Sequence, residues 1–202
     1  MSGEADAREA FWRELRARHP GLREAIVADA KINALYRGER HEFRSRADTV
    51  GQVLRLAWAG DAFVAQMAYR LKTRLQALGV PVLPRLVHRF AMVSGQVAIG
   101  DPVLIGPGAY LIHGQVVIDG LVEIGPGAVI APFVTIGLRA GDVRGAIIGA
   151  HVTIGTGARI IGPVRIGDGA TIGANAVVVA DVAAGETVVG VPARPVPHAP
   201  IP

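Results

Sequence analysis

One histidine stands where a regular pattern breaks. In the stretch GAYLIHGQVVIDG, from Gly108 to Gly120, an aliphatic residue that otherwise recurs every six positions arrives one position late, and His113-Gly114 lies at the slip. Imidazole is the side chain suited to proton transfer near neutral pH. Held within about 3 Å of a hydroxyl, it takes the proton as the oxygen attacks. A slipped register bulges the backbone and can aim the ring outward. The competing reading is a corner histidine that hydrogen-bonds neighbouring backbone. A catalytic zinc would need three converging protein ligands, yet only His113 and His151 fall in the patterned region. His19, His41, His88 and His198 have no motif around them, and the chain has no cysteine, which excludes disulfides and zinc–thiolate sites.

The elements that must position His113 are written in a period of six. Ile99 and Ile105 are followed, after the slip, by Ile112, Ile118, Ile124, Ile130 and Ile136, and then by Ile148, Ile154, Ile160, Ile166, Ile172 and Val178. Four positions after these come Val103, Ala109, Val116, Val122, Ala128, Val134, Val152, Ala158, Val164, Ala170 and Ala176. One large and one small inward residue per hexad suit short strands meeting at tight corners. An ordinary sheet alternates in twos and has no reason to keep a six-residue count. The pattern is that of a parallel β-helix, with coils stacked about 4.8 Å apart. The polar segment GLRAGDVRGA (Gly137–Ala146) interrupts the hexads as a loop.

Residues 1–94 carry helical spacing instead. Ala7, Phe11 and Leu15 share one face; Leu22, Ile26, Ala30 and Ala34 form another. Val64, Met67, Ala68, Leu71, Leu75 and Leu78 give the clearest amphipathic stripe, and a shorter helix starts near Pro84. This half holds 16 Lys/Arg against 10 Asp/Glu, but no aromatic-interleaved basic patch accompanies them, so no nucleic-acid partner is expected. No apolar run has membrane-spanning length, and MSGEADAREA lacks the core of a signal peptide. The expectation is a soluble cytoplasmic protein. Its fold class would be an α-helical domain over 1–94, a β-helix over 95–192 and a tail over 193–202.

The segments DAFVAQMAYRL (Asp61–Leu71), LIHG, VTIG (Val134–Gly137), IGTGARIIGPVRIGDGATIGANAVVVADV and VVGVPAR together resemble serine O-acetyltransferase, within the hexapeptide-repeat acyltransferases. The likeness spans roughly residues 50–195. It implies a left-handed β-helix, a homotrimer with active sites between subunits, and acetyl- or acyl-coenzyme A as co-substrate with no permanently bound cofactor. Whether helical domains then pair two trimers is left open. It also implies that His113 is the general base. Gly137, Leu138, Thr156, Ala174 and Arg194 match coenzyme-contacting positions, and Arg144 and Asp48 match substrate-binding ones. Arg139, Arg159 and Arg165 are further candidates for phosphate contacts.

Several family residues are replaced. The aspartate that precedes the catalytic histidine is Ile112 here, and the one fifteen residues earlier, which partners the imidazole, is Ala98. An arginine–histidine pair becomes Arg144-Gly145. Asp101 or Asp119 would then be left to orient His113. Charged sites reject analogues because their own groups go unpaired. Their loss suggests a different, less zwitterionic acceptor, and leaves serine, a sugar, another amino acid or another hydroxyl or amine compound all open. Two rival readings stand beside this one: a non-catalytic module that keeps the coils for oligomerisation, and a carbonic-anhydrase-like metalloenzyme.

Overall fold

A computed structural model describes residues 2–196; the end of the expected tail, with His198, lies outside the described residues. Five helices come first: α1 (Ser2–Ala17), α2 (Leu22–Tyr36), α3 (Arg46–Ala59), α4 (Asp61–Ala77) and α5 (Leu83–Gly95). Fifteen short strands, β1–β15 in chain order, follow from Val97. Face one stacks β1 (Val97–Ile99), β4 (Val116–Ile118), β7 (Thr135–Gly137), β10 (Arg159–Ile161) and β13 (Val177–Val178). Face two stacks β2 (Leu104–Ile105), β5 (Leu121–Ile124), β8 (Arg144–Ile148) and β11 (Arg165–Ile166). Face three stacks β3 (Tyr110–Leu111), β6 (Val129–Ile130), β9 (Thr153–Ile154), β12 (Thr171–Ile172), β14 (Thr187–Val189) and β15 (Arg194–Val196). All ladders are parallel except β14–β15, a hairpin laid over the last coil. The molecule is therefore a helical domain joined to a three-sided parallel β-solenoid.

The hexad residues fill the prism. Ile118, Ile130, Ile136, Ile154, Ile160 and Ile172 are fully buried, and the small positions Val116, Val122, Ala128, Val134, Val152, Ala158, Ala170 and Ala176 sit beside them. One position departs from the sequence reading. Leu111, not Ile112, is the inward residue, since Leu111 pairs with Ile130 and is buried while Ile112 is only half-buried. Two adjacent aliphatics make these registers indistinguishable by hydropathy. The six-residue step thus holds through Leu111, and the extra residue falls inside the corner that contains His113.

A β-solenoid's first coil has no coil beneath it, so its inward residues aim carbonyls at nothing unless something covers them. Helix α4 covers them with donors. Gln66 Nε2 donates to Ala109 O (2.8 Å), Tyr69 Oη to Val103 O (2.9 Å), and Lys72 Nζ to Ile99 O (2.7 Å). Arg70 Nη1 donates to Ile105 O (2.5 Å) and its Nη2 to Gly106 O (2.7 Å). Arg70 also pairs with Asp29 of α2, whose Oδ1 accepts the Gly108 and Ala109 amides (2.9 and 3.1 Å). Lys72 is only 1 % exposed; burial pushes its ammonium below the ordinary lysine range, with Asp101 opposing.

The apolar stripe of α4 is thus only part of its packing surface: Ala68 joins the main core and Met67 packs beside Phe63. The polar face of the helix points inward, and the apolar stripe of Val64, Met67, Ala68 and Leu71 lines an open groove of about 480 Å³ with residues of α2 and α5. The requirement for hydrogen-bond donors wins over the apolar count, because each uncovered carbonyl would cost roughly 1–3 kcal/mol.

Candidate active site

The His113 corner links face three to face one. Val97 pairs with Val116 and Tyr110 with Val129, nineteen residues on. Val117 pairs with Thr135 and Thr153 with Thr171, eighteen on. The additional residue of the first coil is accommodated between Leu111 and Val116, and it carries His113 out to solvent. Gly114 follows because there is no room for anything else: a Cβ there would run into the Gly95 carbonyl at the end of α5. Gln115 then turns through the left-handed region at φ 63°, as Phe133 does at φ 63° on the next coil. The HG pair therefore answers to two demands, an outward imidazole and a backbone pressed against α5.

Three of the sequence-predicted residues share this edge of the prism. Above His113 come Pro132-Phe133, then Thr156, then Ala174, whose corners are tied by Gly157 N–H to Pro132 O (3.0 Å) and Asn175 N–H to Thr156 O (2.8 Å). Ala174 thus lies three coils, or about 14 Å, above His113. The glycines that flank Thr156 let these corners stack closely. A Cβ on Gly155 would stand 2.7 Å from the Ala174 nitrogen, and one on Gly157 would meet the Asn175 side chain. Arg159 donates from Nη1 to Phe133 O and Gly157 O (2.7 Å each), so it clips this edge together.

The other predicted residues lie elsewhere in the chain. Gly137 and Leu138 begin the loop at the far edge of face one, where Leu138 packs over Gly120. That loop is a six-residue insertion: Thr135 pairs with Arg159, twenty-four on. Arg144 at its end forks Asp142 (Nε to Oδ1 3.1 Å, Nη2 to Oδ2 3.0 Å). This contact holds the Asp142 carboxyl down at about 2. Gly145 is buried, and a side chain there would strike Val122, so a histidine has no space at that position. Arg139 lies over Gly162. Arg194 is in β15, with Nη1 on Ala193 O (3.0 Å).

Asp48 sits in the first turn of α3, beside the N-cap Ser45. Its carboxylate is committed to Arg40 (2.6 and 2.7 Å) and to the Arg44 amide (2.7 Å). Those bonds, the Arg40 contact above all, hold the carboxyl well below the usual carboxylate range. Asp101 and Asp119 occupy the corner between faces one and two, the former held by Lys72 (3.1 Å) and the latter accepting Gly120 N–H (2.9 Å). Neither orients His113 within the chain. His151 is exposed at the corner between faces two and three, stacked over Gly127. Among the described residues no three metal-binding side chains gather.

Sequence reasoning missed a feature on the approach to His113. Tyr36, at the end of α2, stacks on Tyr110 of β3 with ring centroids 4.7 Å apart and planes 13° from parallel. The two residues are far apart in sequence and carry no motif.

A coil of short parallel strands with inward isoleucines at a six-residue step places the chain among the hexapeptide-repeat proteins. The bacterial transferase hexapeptide family (six repeats) matches residues 145–180. Among solved structures, the serine acetyltransferase of Neisseria gonorrhoeae in complex with serine is 31% identical with a TM-score of 0.70. The match covers 86% of this chain and 68% of that one. The soybean serine acetyltransferase complexed with serine is 32% identical with a TM-score of 0.73, covering 89% and 71%. A serine acetyltransferase in complex with coenzyme A is 26% identical with a TM-score of 0.71, covering 91% and 73%. The chain belongs to the serine acetyltransferase family. It spans roughly two thirds to three quarters of the length of these relatives. No curated protein matches it.

Proposed function

We propose that the protein transfers an acyl group, acetyl in the simplest case, from a coenzyme A thioester to a hydroxyl, with His113 as general base. The observation that carries this reading is the corner itself. The first coil takes up its one additional residue at the corner where His113 leaves the prism, and the small residues Thr156 and Ala174 continue the same edge above it. An alcohol is a poor nucleophile at neutral pH. The imidazole takes its proton as the C–O bond forms and returns one to the departing sulfur, a role worth typically 10²–10⁴-fold.

Thr156 and Ala174 would line a groove for the thin pantetheine arm. Gly137, Leu138 and Arg194 would meet the coenzyme, and Arg144 the acceptor, from a neighbouring subunit of a homotrimer whose clefts hold the sites. The relative solved with coenzyme A supports the donor. The acceptor-gripping residues of the family are not carried over at Ile112, Ala98 and Gly145, so serine is not the acceptor we assign. Asp48 is already committed to Arg40, so any part it takes in binding would pass through that ion pair.

The test is thiol release from acetyl-coenzyme A, measured with wild type and His113→Ala against a panel of hydroxyl and amine acceptors. We expect acceptor-dependent release that falls at least a hundredfold in the variant, with coenzyme A still bound. Coenzyme binding without acceptor-dependent release in either protein would return the coils to a purely structural role.

A further inference from the structure

We infer that the acceptor is an uncharged hydroxyl compound with a flat apolar body, an aryl-substituted alcohol in the simplest case, laid against the Tyr36–Tyr110 stack. This rests on the acyl-transfer reading above and names the substrate class of the same site. Strand alternation sets the geometry. Tyr110 points out of face three, Leu111 points in, Ile112 points out, and His113 follows at the corner. Three residue steps separate Tyr110 from His113, which puts their Cα atoms at most about 11 Å apart, with both side chains projecting outward from there. Tyr36 is 55% exposed. One face of its ring lies on Tyr110, and more than half of the residue is solvent-accessible. Ile112 lies between the platform and His113, and Val117 and Phe133 are exposed on the other side of the corner.

Charge points the same way. The acids nearest this corner are engaged or turned elsewhere. Glu39, just past Tyr36, is shared by Arg37 and Arg55. Asp101 and Asp119 face the opposite edge of face one, and Glu123 is paired with Arg18 on face two. A substrate ammonium placed beside Ile112 would lose water with no free carboxylate at this corner among the described residues of the same subunit, which is costly. Arg144 of a neighbouring subunit would arrive with its charge already met by Asp142 (3.1 and 3.0 Å), so it calls for no acceptor carboxylate. A flat neutral ring loses little water and gains an offset stack. The reaction balances without further reagents. The acceptor oxygen bonds to the acyl carbon, the C–S bond breaks, and its electron pair leaves with sulfur. The hydroxyl proton passes through His113 to that thiolate, giving an ester and free coenzyme A.

The experiment uses the full chain, acetyl-coenzyme A, and three probe acceptors: 2-phenylethanol, glucose and serine. Thiol release is followed for wild type, His113→Ala, Tyr36→Ala and Tyr36→Phe, with each fold checked by circular dichroism. We expect kcat/KM for 2-phenylethanol to exceed that for serine by about tenfold or more. Tyr36→Ala should lower it about tenfold, chiefly through KM, and Tyr36→Phe should restore it. Serine or glucose as the best acceptor, with release still dependent on His113, would overturn this inference and leave the acyl-transfer reading standing. So would a 2-phenylethanol KM unmoved by Tyr36→Ala. No thiol release with any probe would sink both.

Discussion

Replacing Arg70 with methionine tests the covering of the first coil directly. The guanidinium is 2% exposed and makes four contacts: two to Asp29 (2.9 and 3.2 Å) and one each to the carbonyls of Ile105 and Gly106. Methionine fills a similar volume and donates nothing. The change leaves Asp29, 1% exposed, as a buried carboxylate with only the Gly108 and Ala109 amides for support. Breaking a buried pair from one side costs about 3–5 kcal/mol. The two orphaned carbonyls add roughly 1–3 kcal/mol each where water cannot enter. These figures overlap, so the expected loss is about 4–6 kcal/mol, a large part of a typical domain's stability. Much of it should be the stranded charge. Asp29→Asn in the Arg70→Met background keeps an acceptor for the two amides and should therefore recover about 1–3 kcal/mol. Urea unfolding at fixed protein concentration, followed by circular dichroism, gives both numbers from the midpoint shift at constant slope. A cost below about 1 kcal/mol for Arg70→Met, or no recovery in the double variant, would refute the claim that α4 acts by supplying donors to the coil.

Gly114→Ala should destabilise by about 2–4 kcal/mol, because the new methyl collides with the Gly95 carbonyl and backbone must yield; thermal melts of the two proteins check it. Ile166→Asp should abolish soluble expression, since an unpaired charge inside the prism costs several kcal/mol; a normally folded variant would argue against the register. His19 is held down at about 4 by burial first and by Arg70 and Lys72 next. The unfolded chain, with an ordinary histidine near 6.5, binds that proton first. His19 is therefore without effect above about pH 6.5 and lowers stability as pH falls from there toward 4, by about 1–2 kcal/mol after solvent screening. Comparing stability–pH curves of wild type and His19→Gln isolates that share, and identical slopes between pH 6.5 and 4 would exclude it.

The solenoid was legible in the sequence because each coil repeats the same two inward positions, so eleven small residues and their isoleucines vote for one register. Leu111 and Ile112 escaped it because neighbouring aliphatics look alike to a hydropathy count; only the pairing of Leu111 with Ile130 separates them. Helix α4 was legible only in part, for a deeper reason. Its stripe of Val64, Met67, Ala68 and Leu71 reads as a core face. The demand for Gln66, Tyr69, Arg70 and Lys72 comes from carbonyls some thirty to forty residues away, which local periodicity does not register. Part of the candidate site was visible: His113 stands at the slip, and Thr156 and Ala174 occupy its corner edge. The Tyr36–Tyr110 stack was not, because it forms only when α2 docks on β3. Asp48 illustrates the opposite error of local reading, an acid whose visible charge is already spent on Arg40 and on the start of α3.

The two ends of the prism are sealed by unlike devices, a donor-studded helix below and the β14–β15 hairpin above. Neither seal refers to how many coils lie between them. Length along the axis is thus a free variable: splicing in a duplicate eighteen-residue segment after Ile148 would lift Ala174 and Arg194 away from His113 by one storey without disturbing either terminus. A protein of this kind can retune the separation between its proton-transferring edge and its upper groove by whole steps of about 4.8 Å.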